Sequence, residues 1–366
     1  MVRAYRSAGW SVDVLHARHE NESQPDDETM ALLHEYVPLT LRKLRPRDHL
    51  SPLPPLARLV QSHVPVLNAS RSYDAAQAES SAIWPALADV PARAKILVLH
   101  DDDTRRYLRI ARQVRDPRRK SVRLAAALKY RRFQPQAIRE ADRVWCVSAA
   151  ELERLGGTSG KFVLVPNGAT ADFFDVPVGT SDGRRIVTFV GPATYDANRR
   201  AVDHFVRDIW PLVRERVRDA ELRLVGKGWE ETAHPTTAVS DRGWVEDLPA
   251  EVGQSDVVVA PLLDGGGTKI KVIEAMAAAR PVVATSVAVE GIPASSGLRV
   301  AGDAGGFAKD VARFLSDSNL AREAGQANRS AVAGLEWSEI WRRAIADIER
   351  LTSSGRPDAV RSGRSC

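Results

Sequence analysis

Residues 256–285 read DVVVAPLLDGGGTKIKVIEAMAAARPVVAT, in which two apolar runs flank a glycine-rich turn. Residues 256–262 and 281–285 are short, rich in valine and bounded by turn signals, which is typical of buried strands. Between them, the turn is followed by apolar residues at helical spacing over 269–279. A strand, a glycine turn, a helix and a second strand in this order predict a parallel sheet with helices on both faces.

The same alternation continues on both sides of this stretch. In the second half, strands are predicted at residues 185–191 and 220–225, and helices at 201–217, 304–316 and 320–333. In the first half, strands are predicted at residues 10–15, 73–78, 94–100, 143–148 and 162–166, with a helix-like stretch at 57–64. We therefore expect an α/β protein with two Rossmann-like domains.

The length of 366 residues fits two domains, and residues 177–184 have the composition of a linker. The predicted parts are an N-terminal domain at 1–176, a linker at 177–184, a second domain at 185–335, a helix at 336–351 and a disordered tail at 352–366. Residues 1–7 look like the end of a helix, whereas a Rossmann-like domain starts with a strand and a glycine turn. We therefore expect the first domain to lack its first strand.

The composition excludes several classes of protein. Hydrophobic residues make up 44% of the chain and charged residues 27%, which is too much apolar material for a disordered chain. No apolar run approaches membrane-spanning length, and the first residues lack the apolar core of a secretory leader, so we expect neither. Since the only cysteines are Cys146 and Cys366, we expect no disulfide framework, no zinc site and a cytoplasmic location.

The formal net charge of +5 and the pI of about 9.3 are mild for this length. They favour anionic ligands or an anionic membrane surface and do not by themselves indicate nucleic-acid binding. Twelve basic residues and a single acid, Asp116, lie between Arg105 and Arg132, where the pattern indicates a long basic helix-like region. This run could contact an anionic membrane or form an ordinary solvated helix face.

The glycine-rich turn carries the clearest chemical signal. Glycine lets backbone N–H groups approach an anion closely, and a helix N-terminus adds the positive end of its dipole. Thr268 adds a hydroxyl and Lys269 a positive charge. The turn is not a P-loop, because the Gly-Lys-Ser/Thr ending is absent. It predicts phosphate binding, and a glycine loop needed only for tight packing of strand against helix is the alternative.

Two further residues are candidates for contacts with a sugar. Glu274 lies in the same predicted helix as Lys269, where a carboxylate can accept hydrogen bonds from ribose hydroxyls. The alternative for Glu274 is a solvent-exposed helical glutamate. His100 ends a predicted strand, at the edge where ligands bind in open α/β sheets. Its imidazole could donate a hydrogen bond to a sugar hydroxyl or assist the movement of a proton. Alternatively, His100 could be an ordinary histidine at the end of a strand.

The three aspartates from Asp101 to Asp103 follow His100 directly. Paired carboxylates can hold a divalent cation, so a metal site is one interpretation. Aspartate is also a preferred N-cap, and we favour a polar loop that caps the following helix.

Taken in order, these residues resemble the large retaining family of GT-B glycosyltransferases often called family 4, or glycosyl transferases group 1. The resemblance covers residues 5–350 and is strongest from 185 to 335. In the second half it rests on Phe189-Val190-Gly191, Leu224-Val225-Gly226-Lys227-Gly228, Gly243-Trp244-Val245-Glu246-Asp247-Leu248, Glu274-Ala275-Met276-Ala277 and Glu290-Gly291. Elsewhere it rests on His100, Ser148, Pro166-Asn167-Gly168 and Trp337-Ser338.

The resemblance implies two Rossmann-like domains that face each other across a cleft, with a nucleotide-sugar donor held mainly by the second. It implies that His100 is the catalytic histidine and contacts the donor sugar, and that no metal or other cofactor is needed. It also implies three sets of contacts with the donor. Gly266, Gly267, Thr268 and Lys269 would hold the diphosphate. Glu274 would hold the ribose, and Gly243 and Val245 would lie beside the base.

Three positions depart from the pattern of this family. Gly266 stands where the family has the first of two glutamates eight residues apart, of which Glu274 is the second. Pro192 and Asn198 stand where it often has an arginine and a lysine that bind phosphate. The candidates for those phosphate contacts, beside Lys269, are Asn198, Arg200 and Lys271.

We therefore expect a retaining, metal-independent glycosyltransferase of the hexosyl type. It would move a sugar from a nucleotide-sugar to a cell-envelope glycan, a lipid or a small-molecule acceptor, in the cytoplasm or at the inner face of a membrane. A truncated or inactive relative that binds nucleotide or a partner without turnover is the main alternative. A nucleotide-sugar epimerase is another, and nucleic acid is not an expected partner.

Overall fold

The computed structural model describes residues 1–19, 25–41, 72–88, 90–114, 116–155, 157, 160–179, 184–229, 238–265 and 267–353. The chain divides into two compact units, the first formed by residues 1–165 and 341–366 and the second by residues 166–340. The last helix, Trp337–Ser353, therefore begins in the second unit and ends in the first. The domain bounds expected from the sequence stay a prediction.

The first unit contains parallel strands throughout its described residues. They are β1 (Asp13–His19), β2 (Glu35–Leu41), β3 (Tyr73–Ala78), β4 (Ala92–Leu99), β5 (Arg143–Cys146) and β6 (Phe162–Leu164). β1 pairs with β2, and β3 to β6 form a four-stranded sheet in chain order. Ile96, Leu97, Val144 and Trp145 are fully buried in its two middle strands, as their continuous apolar runs predict.

The helices of the first unit follow its strands. They are α1 (Val2–Ser7), α2 (Asp27–Ala31), α3 (Trp84–Ala88), α4 (Asp103–Gln113), α5 (Pro117–Glu140) and α6 (Ala149–Arg154). As predicted, α1 precedes the first described strand. The strand expected at 10–15 starts three residues later, at Asp13, and the helix-like stretch at 57–64 lies outside the described residues.

The helix-like region expected from Arg105 to Arg132 is helical in two parts. The run is divided between α4 and α5, which pack together through the stacked rings of Tyr107 and Tyr130, with centroids 5.2 Å apart. Asp116 is the N-cap of α5, and Pro117 occupies its first turn. An Asp-Pro pair begins a helix, because the carboxylate caps the first N–H groups and proline needs no donor there.

The second unit is built on six parallel strands within its described residues. They are β7 (Ile186–Val190), β8 (Glu221–Val225), β9 (Val239–Gly243), β10 (Val257–Ala260), β11 (Val282–Ala284) and β12 (Leu298–Val300). The strand order is β12-β11-β10-β7-β8-β9. The chain starts at the central strand β7 and adds β8 and β9 on one side. It then adds β10, β11 and β12 on the other side, so the order of strands reverses between β7 and β10. Ligands bind at such a switch point in open α/β sheets.

The remaining helices belong to the second unit, except that the last of them ends in the first unit. They are α7 (Ala171–Asp175), α8 (Asp196–His204), α9 (Trp210–Arg216), α10 (Leu248–Gly253), α11 (Ile270–Ala277), α12 (Ala304–Ser316), α13 (Ser318–Val332) and α14 (Trp337–Ser353). A π-helical turn, Phe205–Ile209, joins α8 to α9, where the sequence predicts one regular helix at 201–217. Pro211, which lacks a backbone N–H, lies just after this turn.

The end of the described chain differs slightly from expectation. α14 continues to Ser353, so Thr352 and Ser353 belong to a helix and not to the predicted tail. Residues 354–366 lie outside the described residues. Among the helices described, none is both long and apolar enough to cross a membrane.

Candidate functional site

The carboxyl ends of the neighbouring strands β7 and β8 approach each other closely. Gly191 and Gly226 follow these strands directly and have φ of 142° and 139°. A Cβ on Gly226 would lie 2.5 Å from the carbonyl carbon of Gly191. A Cβ on Gly191 would lie 2.6 Å from the side-chain nitrogens of both Asn198 and Lys271. Glycine is required here because the strand ends leave no room for a side chain.

The loop between β10 and α11 holds the predicted diphosphate-binding residues. Gly266 lies outside the described residues, and Gly265 and Gly267 on either side of it have φ of 136° and 68°. The Thr268 hydroxyl oxygen is buried and has no hydrogen-bond partner among the described residues. No side chain caps α11 at its N-cap residue, Lys269. A buried hydroxyl beside an uncapped helix N-terminus suits an anion.

Two of the predicted cations are engaged within the protein. The Lys269 ammonium donates a hydrogen bond to the Gly267 carbonyl at 2.5 Å. The Arg200 guanidinium donates to both carboxylate oxygens of Asp264, at 2.9 and 2.8 Å. Both side chains therefore stand at the glycine-rich loop, and the charge of Arg200 is already balanced.

Asn198 and Lys271 are brought together although they are far apart in sequence. The Lys271 ammonium donates to the Asn198 amide oxygen at 2.8 Å, and the Asn198 amide nitrogen donates to the Pro192 carbonyl at 2.9 Å. Asn198 is only 4% exposed. The Lys271 ammonium also lies 4.4 Å from the centre of the Phe189 ring. The pair therefore stands directly at the end of β7.

Glu274 is partly buried in α11, one turn beyond Lys271. Burial raises the pKa of its carboxyl to about 7, against the attraction of the Lys271 ammonium. The interpretation as a solvent-exposed helical glutamate therefore does not fit the structure. A carboxylate at this position has the chemistry to accept hydrogen bonds from hydroxyl groups.

The predicted base-side residues lie at the end of β9. Gly243 has φ of 59°, and its carbonyl accepts a hydrogen bond from the backbone N–H of Gly226 at 2.7 Å. Val245 is partly buried against the core. Trp244 between them is 65% exposed, and the Lys227 ammonium lies 5.9 Å from the centre of its ring. These residues lie at the same carboxyl edge of the sheet as the glycine-rich loop, on the outermost strand beyond β8.

His100 lies in the first unit, directly after β4. Its Nε2 is 3.0 Å from a carboxylate oxygen of Glu79, which follows the neighbouring strand β3. The two side chains are 54% and 40% exposed. Sequence reasoning missed Glu79 because no motif marks it. The available signal was topological, since the carboxyl ends of adjacent parallel strands lie side by side.

The aspartates after His100 have structural partners. Asp102 caps α4 by accepting a hydrogen bond from the backbone N–H of Arg105 at 3.1 Å, as the capping interpretation predicts. Asp101 pairs with Arg109 at 3.1 Å, and Asp103 accepts from the Ser81 hydroxyl at 2.5 Å. Among the described residues, no group of acids, histidines or cysteines has the arrangement of a metal site.

Glu151 is a further buried carboxyl that sequence reasoning did not single out. Burial raises its pKa to about 7, with the charge of Asp101 acting in the same direction. It occupies the first turn of α6, where its backbone N–H donates to the Ser148 hydroxyl at 3.2 Å. The Ser-x-x-Glu spacing of a capping box was the signal in the sequence.

The basic helices expose apolar side chains between their cations. Leu124 and Leu128 on α5 are 40% and 63% exposed. Arg118, Arg119 and Lys120, one to three turns before them, are exposed as well. Exposed cations and leucines on one helix fit either a contact with anionic lipid or an ordinary solvated helix face.

Comparison with solved structures shows the class of the fold. The structure superposes on a sucrose-phosphate synthase from Thermosynechococcus elongatus with a TM-score of 0.67, 19% identity and coverage of 96% of this chain and 92% of that chain. An Anabaena protein, HepE, solved with UDP and glucose, gives a TM-score of 0.57 at 15% identity over 88% and 87% of the two chains. The protein has the α/β fold of the GT-B glycosyltransferases, as predicted.

The sequence comparisons find the same family in the second half of the chain. Residues 184–317 match the family model of the glycosyl transferases group 1, which confirms the resemblance for this segment. It is 28% identical over 233 residues to a phosphatidyl-myo-inositol mannosyltransferase of Mycobacterium leprae, a match that covers 60% of this chain. The match spans 59% of the length of that relative.

Proposed function

We propose that the protein is a retaining glycosyltransferase that moves a hexosyl group from a nucleotide-sugar donor to a hydroxyl of an acceptor. The observation that carries this proposal is the anion site of the second unit. There, a buried hydroxyl without a partner among the described residues, Thr268, stands beside the uncapped end of α11 and the Lys271 ammonium. A nucleoside diphosphate supplies the negative charge that this arrangement lacks.

The proposed chemistry breaks the bond between the anomeric carbon of the donor sugar and its phosphate oxygen. A new bond forms between that carbon and the acceptor oxygen on the same face of the sugar, and the acceptor proton passes to the departing diphosphate. The chain contributes stabilisation of the developing phosphate charge through Thr268, Lys271 and the N–H groups of α11. His100 is proposed as the catalytic residue that contacts the donor sugar.

The ribose and the base of the donor are proposed to contact other residues of the second unit. Glu274 is proposed to hold the ribose hydroxyls, and Gly243 and Val245 to border the base. Lys269, Lys271 and the N-terminus of α11 are proposed to balance the charge of the diphosphate without a metal ion. The proposal therefore includes no metal and no other cofactor.

The acceptor is proposed to be a hydroxyl-bearing lipid headgroup or glycan. Curated relatives from Mycobacterium leprae and Mycolicibacterium smegmatis are phosphatidyl-myo-inositol mannosyltransferases, which favours mannose as the sugar and an inositol lipid as the acceptor. The exposed leucines and cations of α5 support peripheral contact with an anionic membrane. We place this contact at the cytoplasmic face, where a cysteine-poor chain is expected.

A transfer assay tests the proposal. The full chain is incubated with UDP-, GDP-, ADP- and dTDP-hexoses and with vesicles that contain phosphatidylinositol, with and without EDTA. We expect acceptor-dependent release of one nucleoside diphosphate, unchanged by EDTA, and a product with the anomeric configuration of the donor. Conversion of a donor without any acceptor would indicate an epimerase instead. Nucleotide binding without consumption of any donor would indicate the inactive alternative.

A further inference from the structure

A chain of hydrogen bonds runs through the first unit to His100. The hydroxyl of Tyr5, a buried residue of α1, donates to Gln77 Oε1 at 2.5 Å. Gln77 Nε2 donates to Glu79 Oε1, and Glu79 Oε2 lies 3.0 Å from His100 Nε2. Gln77 is on β3, Glu79 follows β3, and His100 follows the neighbouring strand β4. The four side chains therefore form a continuous path that ends at the proposed catalytic histidine.

The direction of these hydrogen bonds follows from the chemistry of the groups. A carboxylate oxygen accepts hydrogen bonds and donates none. The part of Gln77 that faces Glu79 is therefore the amide nitrogen, and Gln77 Oε1 faces the Tyr5 hydroxyl, which donates to it. Gln77 Nε2 also donates to Met1 Sδ at 3.4 Å. Both ends of the Gln77 amide thus have partners that fix its orientation.

The same rule assigns the proton of a neutral His100 ring. A neutral imidazole has one N–H donor and one acceptor nitrogen. Nε2 faces the Glu79 carboxylate, so Nε2 is the donor and Nδ1 is the acceptor. The His100 side chain is 54% exposed. Nδ1 is therefore the nitrogen that is left for a hydroxyl group of a ligand.

We propose that Gln77 and Glu79 fix His100 in the tautomer with the proton on Nε2, so that Nδ1 accepts a hydrogen bond from a hydroxyl of the donor sugar. This inference rests on the proposed function for the identity of the ligand, whereas the tautomer is a property of the chain alone. Tyr5, Gln77 and Glu79 are positioning residues, and His100 makes the contact.

Replacement of Glu79 by glutamine separates this role from a merely structural contact. Gln77 Nε2 still requires an acceptor, and the oxygen of the new amide at position 79 supplies it. The nitrogen of the new amide then faces His100 Nε2, which has to accept, so the proton moves to Nδ1. Glu79→Gln is therefore expected to reverse the tautomer and to remove the acceptor that the sugar hydroxyl needs.

A second substitution is expected to undo this reversal. Gln77→Leu in the Glu79→Gln background removes the donor that holds the oxygen of the new amide. The amide is then free to turn its oxygen to His100 Nε2, and the proton is expected to return to Nε2.

Nitrogen NMR of the full chain labelled with 15N-histidine measures the tautomer, because protonated and unprotonated ring nitrogens differ in chemical shift. The chain has 8 histidines, and the spectrum of His100→Gln identifies the His100 signals as those that disappear. Spectra are recorded without ligand, at a pH at which the rings are neutral. We expect the proton on Nε2 in the wild type, on Nδ1 in Glu79→Gln and on Nε2 in the double variant.

Steady-state kinetics of the transfer reaction give the second readout. Glu79→Gln is expected to lower kcat by about tenfold, the effect of one lost hydrogen bond in the transition state, while KM for the donor changes less than about twofold. The double variant is expected to regain part of kcat. Gln136→Leu is the matched control, because it removes another Gln-to-Glu hydrogen bond, from Gln136 Nε2 to Glu140 Oε1 at 2.8 Å on α5. It is expected to change neither readout.

Three results would overturn the inference while the proposed function stands. They are a proton that stays on Nε2 in Glu79→Gln, a proton that stays on Nδ1 in the double variant, and a reversed tautomer with native kcat. Absence of transfer by the wild type would instead refute the proposed function and with it the contact to the sugar. The spectra would still decide whether Gln77 and Glu79 set the tautomer.

Discussion

Arg200 and Asp264 form a two-point ion pair, with the guanidinium nitrogen 2.9 and 2.8 Å from the carboxylate oxygens. Arg200 lies on α8 and Asp264 opens the glycine-rich loop, so the pair fastens the loop to the helix at the other side of the switch point. Arg200 is 49% exposed and Asp264 16%. The positive charge of Arg200 is thus used to hold the loop.

Replacement of Arg200 by glutamine together with Asp264 by asparagine is expected to change nucleotide affinity by less than about threefold, because the pair that it removes carries no net charge. The stability loss is expected to be below about 1 kcal/mol, because no unpaired charge is left behind. Calorimetric titration and thermal unfolding measure both effects. A loss of affinity of tenfold or more would instead assign Arg200 to the phosphate.

Glu274 gives the stability of the second unit a pH dependence. Its carboxyl has a pKa of about 7 in the folded state, against an ordinary value of 4.5. Since the folded pKa is raised, the stabilisation is complete below pH 4.5 and is lost as the pH rises through 7. Glu274→Gln removes this titration. The free energy of unfolding of the variant, relative to that of the wild type, is therefore expected to rise between pH 4.5 and pH 7, by on the order of 1 kcal/mol.

Thermal unfolding of both proteins at pH 4.5, 6, 7 and 8 checks this prediction. The exposed residue Glu323 on α13 provides the control, and Glu323→Gln is expected to track the wild type throughout. A constant difference between Glu274→Gln and the wild type at every pH would contradict the account.

The contact between His100 and Glu79 predicts a split between binding and turnover. His100→Ala is expected to lower kcat by about 100-fold, because it removes a contact with the donor sugar in the transition state, while donor affinity changes little. Glu79→Gln keeps the imidazole but replaces its charged partner at 3.0 Å, so a smaller fall in kcat is expected. Steady-state kinetics of the transfer reaction measure both. Native turnover in His100→Ala would remove this histidine from the mechanism.

The basic surface of α5 predicts binding to anionic vesicles. Reversal of charge at Arg118, Arg119 and Lys120 to glutamate is expected to reduce co-sedimentation with phosphatidylglycerol-rich vesicles strongly, since each cation contributes about 1 kcal/mol near such a surface. The control reverses three exposed cations on α12 and α13, namely Lys309, Arg313 and Arg322. Equal sedimentation of the two triple variants would show that α5 does not form the contact.

Much of the second unit could be predicted from the sequence. The valine-rich runs at β10 and β11 and the glycine-rich turn between β10 and α11 fix the local structure, because continuous apolar runs are buried on both faces of a parallel sheet. β9 was not predicted as a strand, because Val239 is its only apolar residue and because it lies at the edge of the sheet, where few side chains are buried.

The contacts of the candidate site were harder to predict. Thr268, Lys269 and Glu274 were found because they stand in one continuous motif. The contact of Lys271 with Asn198, and that of His100 with Glu79, join residues on different elements. Such pairs depend on strand order and on the side-chain space left by glycine, which a single sequence does not display.

The most direct test of the central claim is thermal unfolding in the presence of UDP, GDP, ADP and dTDP, for the wild type and for Thr268→Val. A ligand at about 100 times its Kd adds about 2.7 kcal/mol of stability. For a chain of this size, this raises the unfolding midpoint by about one degree to several degrees. The account predicts that one nucleotide raises the midpoint of the wild type selectively and raises that of Thr268→Val less. No shift with any of the four nucleotides would contradict a donor site at the glycine-rich loop.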